Sequence, residues 1–193
     1  MPATPHLPYP IPCAICARDI GCGGILTFRC SKSNDWTNFK ASKNVRGRVR
    51  GVYCLLIHLP SDQRIAVGAL GRKEFKRGYY VYVGSAMGGV EQRVRRHKSS
   101  RKKLRWHVDY LLARSEILAS IAIHSNSRRT ECETVEALSA CEDAVFPVPR
   151  FGSSGCRCCS HLLYFGDADP PMVTEMLIMR LSMLKSTYPR TFD

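Results

Sequence analysis

The chain has 193 residues, of which 45% are hydrophobic and 23% are charged, and its formal net charge is +13. This length and composition are those of a globular domain with its own core, and they exclude a fibrous or low-complexity protein. The strong positive charge predicts a polyanionic partner. The first residues, MPATPHLPYPIP, have no basic start and no apolar core, so we expect a cytoplasmic protein with reduced cysteines. The apolar run MVTEMLIMRLSML is short and contains charged residues, so we expect no membrane span.

Residues 1–48 differ in composition from the rest of the chain. They contain five of the eleven prolines and four of the ten cysteines, Cys13, Cys16, Cys22 and Cys30. The CAIC motif has the spacing of a zinc knuckle, but no second pair of this form follows it in the segment. We therefore predict a poorly ordered extension over residues 1–48, ahead of a domain over residues 49–166.

Alternation of apolar residues predicts strands in the first half of this domain. The three predicted antiparallel strands are GVYCLLIHL (51–59), RIAVGAL (64–70) and RGYYVYVG (77–84). Their valine and tyrosine content suits a pleated, half-buried surface. Because successive side chains of a strand point to opposite faces, Tyr80, Tyr82 and Gly84 share one face, and Val81 and Val83 share the other.

The second half of the domain alternates between helical and extended patterns. The predicted elements are helices in AMGGVEQRVRRH, LRWHVDYLLA and SRRTECETVEALSACE, and strands in EILASIAIH and HLLYF. In EILASIAIH, the residues Ile117, Ala119, Ile121 and Ile123 fall on one face. The order β-β-β-α-α-β-α-β predicts an α+β fold, in which helices flank a small, mostly antiparallel sheet. We expect a short amphipathic helix in the C-terminal tail over residues 167–193.

One carboxylate stands on the apolar face of the third predicted helix. Thr130 and Glu133 have the spacing of an N-terminal capping box, whereas Glu131 shares a face with Val135 and Leu138. A carboxylate on an apolar face is costly unless a partner accompanies it. Glu131 is therefore predicted either to bind Mg²⁺, which often takes one or two carboxylates, or to form a salt bridge with an arginine.

A dense block of positive charge follows the glycine-rich bend after the third strand. The segment EQRVRRHKSSRKKLR (91–105) has eight lysines and arginines and one glutamate, so it carries +7 of the net +13. A block of this density beside glycines favours contact with phosphates over a merely solvated surface. The residues expected to contact nucleic acid are Arg95, Arg96, Lys98, Arg101, Lys102, Lys103 and Arg105.

Several motifs, in this order along the chain, resemble those of the GIY-YIG nuclease superfamily. They are GVY (51–53), YVG (82–84), RVRRH (93–97) and the glutamate that opens a later helix, in EC (131–132). Residues 51 to about 165 resemble more closely a little-characterised branch, common in archaea and some bacteria, with blocks similar to GYYVYVGSA, WHVDYLL and FGSSGCRCCSHLLYF. This branch shares the long spacer, residues 54–81, between the two tyrosine motifs.

The resemblance implies a metal-dependent DNA endonuclease. Tyr53 would help to deprotonate the attacking water, and Tyr82 would orient that water or the phosphate. Arg93 would stabilise the negative charge of the transition state, and His97 would bind phosphate or relay a proton. Glu131 would hold a single divalent metal, Mg²⁺ or Mn²⁺, against the leaving oxygen. The partner would be DNA, with branched or damaged DNA among the candidate substrates.

A second group of metal-binding residue types lies near the end of the domain. Cys156, Cys158, Cys159 and His161 have a spacing that could bind a structural Zn²⁺. Buried free cysteines are the simpler interpretation of the same pattern.

The sequence leaves open the roles of two further residues, and it is compatible with three functions. His107 and Asp109, in the second helix, could support the site residues from behind or bind a ligand, although an ordinary helix histidine is the simpler interpretation. The chain could be a metal-dependent DNA endonuclease, a noncatalytic nucleic-acid-binding module on the same fold, or a zinc-stabilised interaction protein. The first is favoured because two tyrosines, an arginine and a glutamate occur together at compatible places.

Overall fold

The structure, a computed structural model, describes residues 26–30, 49–167 and 170–186. The strands of this part of the chain are β1 (Leu26–Cys30), β2 (Gly51–Leu59), β3 (Gln63–Ala66), β4 (Arg72–Phe75), β5 (Gly78–Ala86), β6 (Glu116–His124) and β7 (Leu162–Tyr164). The helices are α1 (Val90–Lys98), α2 (His107–Leu112), α3 (Arg129–Ser139) and α4 (Pro170–Ser186).

Five of these strands form one antiparallel sheet in the order β1-β6-β2-β5-β7. At its centre β2 pairs with β5 along the whole length of both strands, from Gly51 opposite Ala86 to Leu59 opposite Gly78. Every residue of β2 except His58 is buried, because strands pair on both of its edges and helices cover both of its faces. The predicted α+β fold with a small antiparallel sheet is confirmed.

Alternation along the strands divides the interior into two cores, one on each face of the sheet. One core joins residues of the sheet to α1, α2 and β4, and includes Tyr53, Leu55, Ile57, Tyr80, Tyr82, Val90, Val94, Val108, Leu111 and Phe75. The other core joins the sheet to α3 and α4, and includes Val52, Cys54, Leu56, Val81, Val83, Val135, Leu138, Val173, Leu177 and Leu181. The predicted faces of the third predicted strand, which is β5, are therefore confirmed. Tyr80 and Tyr82 lie on the side of α1 and α2.

The predicted three-stranded unit over residues 51–84 is wrong in its middle strand. The segment RIAVGAL is extended only to Ala66, because a short 3-10 helix over Gly68–Leu70 follows, and Gly68 and Gly71 have φ values of 46° and 71°. β3 then pairs with β4, whose RKEF sequence lacks apolar alternation, in a separate two-stranded sheet. In the main sheet β2 consequently pairs with β5 and β6, and not with β3.

A β-bulge changes the predicted faces of β6. Leu56 of β2 lies opposite Ala119, but the next residue, Ile57, lies opposite Ile117, so Leu118 is the extra residue. Ile117 therefore packs in the core of α1 and α2, whereas Ala119 and the isoleucines after it pack in the other core. The sequence predicted one shared face for Ile117, Ala119, Ile121 and Ile123. This is correct only for the three residues after the bulge.

The predicted capping box of α3 is also wrong. The helix begins at Arg129, one residue before Thr130, so the threonine lies inside the first turn, where its side chain does not cap the helix. Its hydroxyl instead lies 2.8 Å from the Ser125 hydroxyl, and the Ser127 hydroxyl accepts the backbone N–H of Arg129 at 3.1 Å. A serine before the helix, and not Thr130, therefore accepts the N–H group of the first helical residue.

Two segments outside the predicted domain contribute to the fold. Within the predicted extension over residues 1–48, the described residues Leu26–Cys30 form β1, which pairs with β6, while Cys13 and Cys16 lie outside the described residues. α4 buries Val173, Leu177 and Leu181 in the core that it shares with α3. In the described part of the chain, no helix has the length and apolar content needed to cross a bilayer.

Replacing Leu177 with alanine tests whether α4 belongs to the folded domain. Leu177 is 1% exposed, so Leu177→Ala should lower the free energy of unfolding by about 2–5 kcal/mol through lost apolar contact and a cavity. Met179, on the same helix, is 59% exposed, and Met179→Ala should change it by less than about 0.5 kcal/mol. Urea denaturation monitored by circular dichroism measures both. Equal, small effects would show that α4 does not pack on the sheet.

Candidate functional site

The predicted site residues meet near the C-terminal end of β5, around Gly84 and Ser85. The strand register places Tyr53 opposite Gly84. A Cβ atom at Gly84 would lie 2.5 Å from the Tyr53 hydroxyl oxygen, so the absence of a side chain there makes room for the tyrosine ring. Tyr82 lies on the same face, with its ring centroid 6.4 Å from that of Tyr53. Both tyrosine motifs are thus parts of one packed arrangement.

Arg93 reaches this region from α1. Val90 and Val94 are buried and fix the orientation of the helix, which leaves Arg93 half-buried on the adjacent face. Its Cζ atom lies 4.1 Å from the centroid of the Trp106 ring, a stacking distance for a cation on an aromatic face. Stacking restrains the guanidinium group while its N–H edge stays available for an anion.

A buried hydrogen-bond chain runs from Tyr53 through His97 to Asp109. The Tyr53 hydroxyl lies 2.9 Å from His97 Nε2, and His97 Nδ1 lies 3.2 Å from Asp109 Oδ1. The exposed fraction is 2% for Tyr53 and His97 and zero for Asp109. Asp109, which the sequence suggested as a supporting residue, therefore supports a predicted catalytic residue directly.

The protonation states along this chain follow from its surroundings. Burial alone would raise the pKa of Asp109, but the backbone N–H groups of Arg105 and Trp106, and the guanidinium of Arg96, hold that pKa below its usual range. Burial lowers the pKa of His97 to about 4, against the opposing effect of Asp109. The imidazole is therefore neutral at neutral pH. Because an ionised carboxylate can only accept, Nδ1 carries the proton and Nε2 accepts the Tyr53 hydroxyl.

Neither tyrosine is ionised in this environment. Burial raises the pKa of Tyr53 well above its usual value, Tyr82 and Glu131 raise it further, and Arg93 opposes them. The pKa of Tyr82 is likewise raised, by burial first and then by Glu131, again against Arg93. Both tyrosines thus interact electrostatically with the predicted arginine and glutamate. An acceptor for the Tyr53 proton is needed for any basic role, and His97 Nε2 is in place.

Glu131 lies in the first turn of α3 with its side chain 19% exposed. One carboxylate oxygen, Oε2, accepts the hydroxyl of Ser85 at 2.8 Å, next to Gly84. The other, Oε1, lies 3.3 Å from Nδ1 of His161. The partners of this inward carboxylate are therefore a serine and a histidine. The alternative expectation was a salt bridge with an arginine, and no arginine in the described part of the chain forms one with Glu131.

Three cysteines and a histidine lie together beside Glu131 in a group that could hold a metal ion, which we call the thiol–imidazole cluster. Its members are Cys132 of α3 and Cys156, Cys158 and His161 of the loop before β7, and their donor atoms all lie within 4.8 Å of one another. The predicted donor Cys159 is not one of the four, and its place is taken by Cys132. The spacing of the predicted donors did not point to Cys132, because it is far from the others along the chain. The EC motif, in which it follows Glu131, was the available signal.

His107 holds the loop of the thiol–imidazole cluster against Tyr82. Its Nδ1 accepts the backbone N–H of Gly152 at 3.0 Å. Gly152 has a φ of 77°, and a Cβ atom there would lie 2.9 Å from the Tyr82 ring and 3.1 Å from the His161 Cβ. His107 therefore has a positioning role rather than a ligand role in this structure.

The seven basic residues predicted to contact nucleic acid divide into two groups. Arg96 pairs with Asp109 through two nitrogens, and the Lys102 ammonium donates to the backbone carbonyl of His97, so these two are engaged within the protein. The other five side chains are exposed on α1 and the following loop, namely Arg95, Lys98, Arg101, Lys103 and Arg105. A pocket of about 340 Å³ adjoins them, lined by residues 97–100, 102, 112 and 115–117. Tyr53, Tyr82, Arg93 and Glu131 do not line this pocket.

Comparison with known proteins bears on the family but not on the activity. Residues 52–182, more than half of the chain, match the family model described as Domain of unknown function DUF123. This range contains every predicted catalytic residue and the whole thiol–imidazole cluster. No curated protein and no solved structure matches the chain. The chain therefore belongs to the family described as Domain of unknown function DUF123.

Proposed function

We propose that this domain is a metal-dependent endonuclease of the GIY-YIG type, which hydrolyses phosphodiester bonds in DNA. The observation that carries the proposal is that Tyr53, Tyr82, Arg93 and Glu131, from four different elements, all lie near the end of β5. The tyrosines pack on the side of α1, Glu131 of α3 binds Ser85 on the other face, and Arg93 and Glu131 both act on the pKa of each tyrosine. Two hydroxyls, a guanidinium and a carboxylate are the groups that a phosphodiester hydrolase uses to position water, phosphate and cation.

Tyr53 and His97 supply the base. As a water molecule attacks phosphorus, its proton passes to the Tyr53 oxygen while the Tyr53 proton passes to His97 Nε2, 2.9 Å away. The imidazolium that forms is stabilised by Asp109, which keeps its negative charge. This transfer needs no free tyrosinate, and it is therefore compatible with the raised pKa of the buried Tyr53.

Arg93 and Tyr82 act on the phosphate. Arg93 is held by its stack on Trp106, and its forked N–H groups can bind two phosphate oxygens as negative charge grows on them. Tyr82 shares a face with Tyr53, so its hydroxyl can orient the water or donate to a phosphate oxygen. Each contact strengthens as the transition state forms, which is the condition for a contribution to rate.

Glu131 is the residue that would hold Mg²⁺ or Mn²⁺. An ionised carboxylate offers about four lone-pair positions, and Ser85 and His161 approach one oxygen each, so positions remain for a cation. The partial exposure of Glu131 suits Mg²⁺, which keeps several waters when it binds to one or two carboxylates. When bound, the cation would offset negative charge on the leaving oxygen.

The burial of the two tyrosines favours a second candidate function, a noncatalytic nucleic-acid-binding module. The exposed fraction is 2% for Tyr53 and 6% for Tyr82, which is low for side chains that must reach water and phosphate. In that case the basic block, residues 91–105, would bind DNA, and the tyrosines would serve as core residues. A cleavage assay separates the two functions.

Purified full-length protein should nick plasmid or branched DNA in the presence of Mg²⁺ or Mn²⁺, and EDTA should abolish the reaction. Tyr53→Phe keeps the ring but removes the proton-transferring hydroxyl, and Glu131→Ala removes the metal-binding carboxylate. Each should lower the rate of cleavage by about 10²–10⁴-fold. Quantified gel assays at saturating metal measure the rates.

Tyr79→Phe is the matched control, because Tyr79 lies on the opposite face of β5, where it stacks on His58. It should cleave like the wild type. Binding to the same DNA without any cleavage across supercoiled, nicked and branched substrates would reject the nuclease and support the binding module.

The exposed basic side chains predict strongly salt-dependent binding to DNA. If Arg93 and the five exposed residues of the basic block contact phosphates, the affinity should fall by about 10³-fold between about 50 and 200 mM salt. Replacing Lys103 and Arg105 with alanine should reduce the slope of log affinity against log salt by about 2. Arg72→Ala, at an exposed position of β4, should leave the slope unchanged. A shallow slope that is the same in all three proteins would exclude the basic block as the contact surface.

A further inference from the structure

The thiol–imidazole cluster joins two parts of the chain that no backbone pairing connects. Cys132 lies in the first turn of α3, whereas Cys156, Cys158 and His161 lie in the irregular loop that leads into β7. Cys158 and His161 are buried, and Cys132 and Cys156 are half-buried. All three cysteines are free thiols. Few roles other than metal binding would bring three thiols and an imidazole together at one point.

The geometry of the cluster is close to that of a tetrahedral zinc site. Zinc binds thiolate sulfur at about 2.3 Å and imidazole nitrogen at about 2.0–2.1 Å, which places tetrahedral donors about 3.5–3.8 Å apart. The four donor atoms lie within 4.8 Å of one another, and the Cys156 sulfur is already 3.2 Å from His161 Nε2. A contraction of about 1 Å completes the site. Three thiolates and one imidazole form a soft donor set that selects zinc over the oxygen-seeking cations.

His161 shows which of its nitrogens would face the metal. Its Nδ1 is buried and makes no hydrogen bond of good geometry, although it lies 3.3 Å from Oε1 of Glu131. Its Nε2 lies among the thiols, beside Cys156. When Nε2 binds a metal, the proton of the ring resides on Nδ1, and it points to the Glu131 carboxylate. A carboxylate behind a metal-bound histidine orients the ring and makes it a better ligand.

We propose that Cys132, Cys156, Cys158 and His161 bind one Zn²⁺, and that Glu131 accepts the Nδ1–H of the zinc-bound His161. Zinc would then fasten the first turn of α3 to the loop whose Gly152 packs on Tyr82. The glutamate would be held on both oxygens, by His161 and by Ser85. Glu131 is here a positioning residue of the zinc site, and this role does not depend on cleavage of DNA.

Metal analysis of the full-length protein, purified without added zinc, tests the ligand set. We expect one zinc per chain, removable only by a strong chelator or by unfolding. Refolding with Co²⁺ should give the visible absorption and the thiolate charge-transfer bands of a tetrahedral site with three sulfurs, which requires no variant. Cys158→Ser should lose the metal, whereas Cys159→Ser, at the adjacent position, should retain it. No metal and no cobalt spectrum in the wild type would overturn the proposal, as would retention of zinc by Cys158→Ser.

Chelator competition tests the role of Glu131. Glu131→Gln should bind zinc 10–100-fold more weakly than the wild type, as is typical when a carboxylate behind a metal-bound histidine is replaced. Glu133→Gln removes the same charge from the same helix and should bind zinc like the wild type. Equal affinity in all three proteins would overturn the role of Glu131. Because these measurements contain no DNA, a protein that binds zinc but does not cleave would reject only the nuclease proposal.

Discussion

A buried line of hydrogen bonds from Asp109 through His97 to Tyr53 is the interaction on which the site depends. It fixes α2, α1 and β2 relative to one another at a point where all three side chains are almost inaccessible to water. The Asp109 charge is kept inside the protein because Arg96 and two backbone N–H groups satisfy it. Removing one member of such a buried ionic group leaves the others unpaired, which costs much more than the group contributes as a whole.

Tyr53 and Tyr82 are also supported from the opposite edge of the site. Gly84 leaves the space that the Tyr53 ring occupies, and Gly152, held by His107, closes over Tyr82. The same loop carries three members of the thiol–imidazole cluster, and Glu131 lies beside them on α3. One side of the site is thus organised by a buried hydrogen-bond chain and the other by a cluster able to hold a metal, and the end of β5 lies between them.

Local patterns in the sequence predicted much of this arrangement, because the features concerned are properties of single elements. The strands β2 and β5, their alternating faces, the helix that carries Arg93 and His97, and the inward face of Glu131 all follow from periodicity. The features that sequence reasoning missed depend on contacts between distant segments. The bulge at Leu118 is defined only by the partner strand, and the recruitment of Cys132 in place of Cys159 requires the loop to fold onto α3. Helix α3 begins earlier than the capping pattern suggested, because the preceding serine turn satisfies its first N–H group.

The protonation chemistry of Tyr53 likewise depends on contacts between distant segments. A tyrosine that acts as a base ordinarily needs a nearby cation to lower its pKa, yet burial in the structure outweighs the effect of Arg93 on the pKa of Tyr53. In the proposed mechanism, the neutral His97, whose acceptor nitrogen faces the Tyr53 hydroxyl, takes the place of the cation, and its tautomer depends on Asp109. The most direct test of this account is nitrogen NMR of His97 in the full-length protein at neutral pH. We predict a neutral ring with its proton on Nδ1, which stays neutral until the pH approaches about 4. An imidazolium at neutral pH, or a neutral ring with its proton on Nε2, would contradict the account, because Tyr53 would then have no acceptor for its proton.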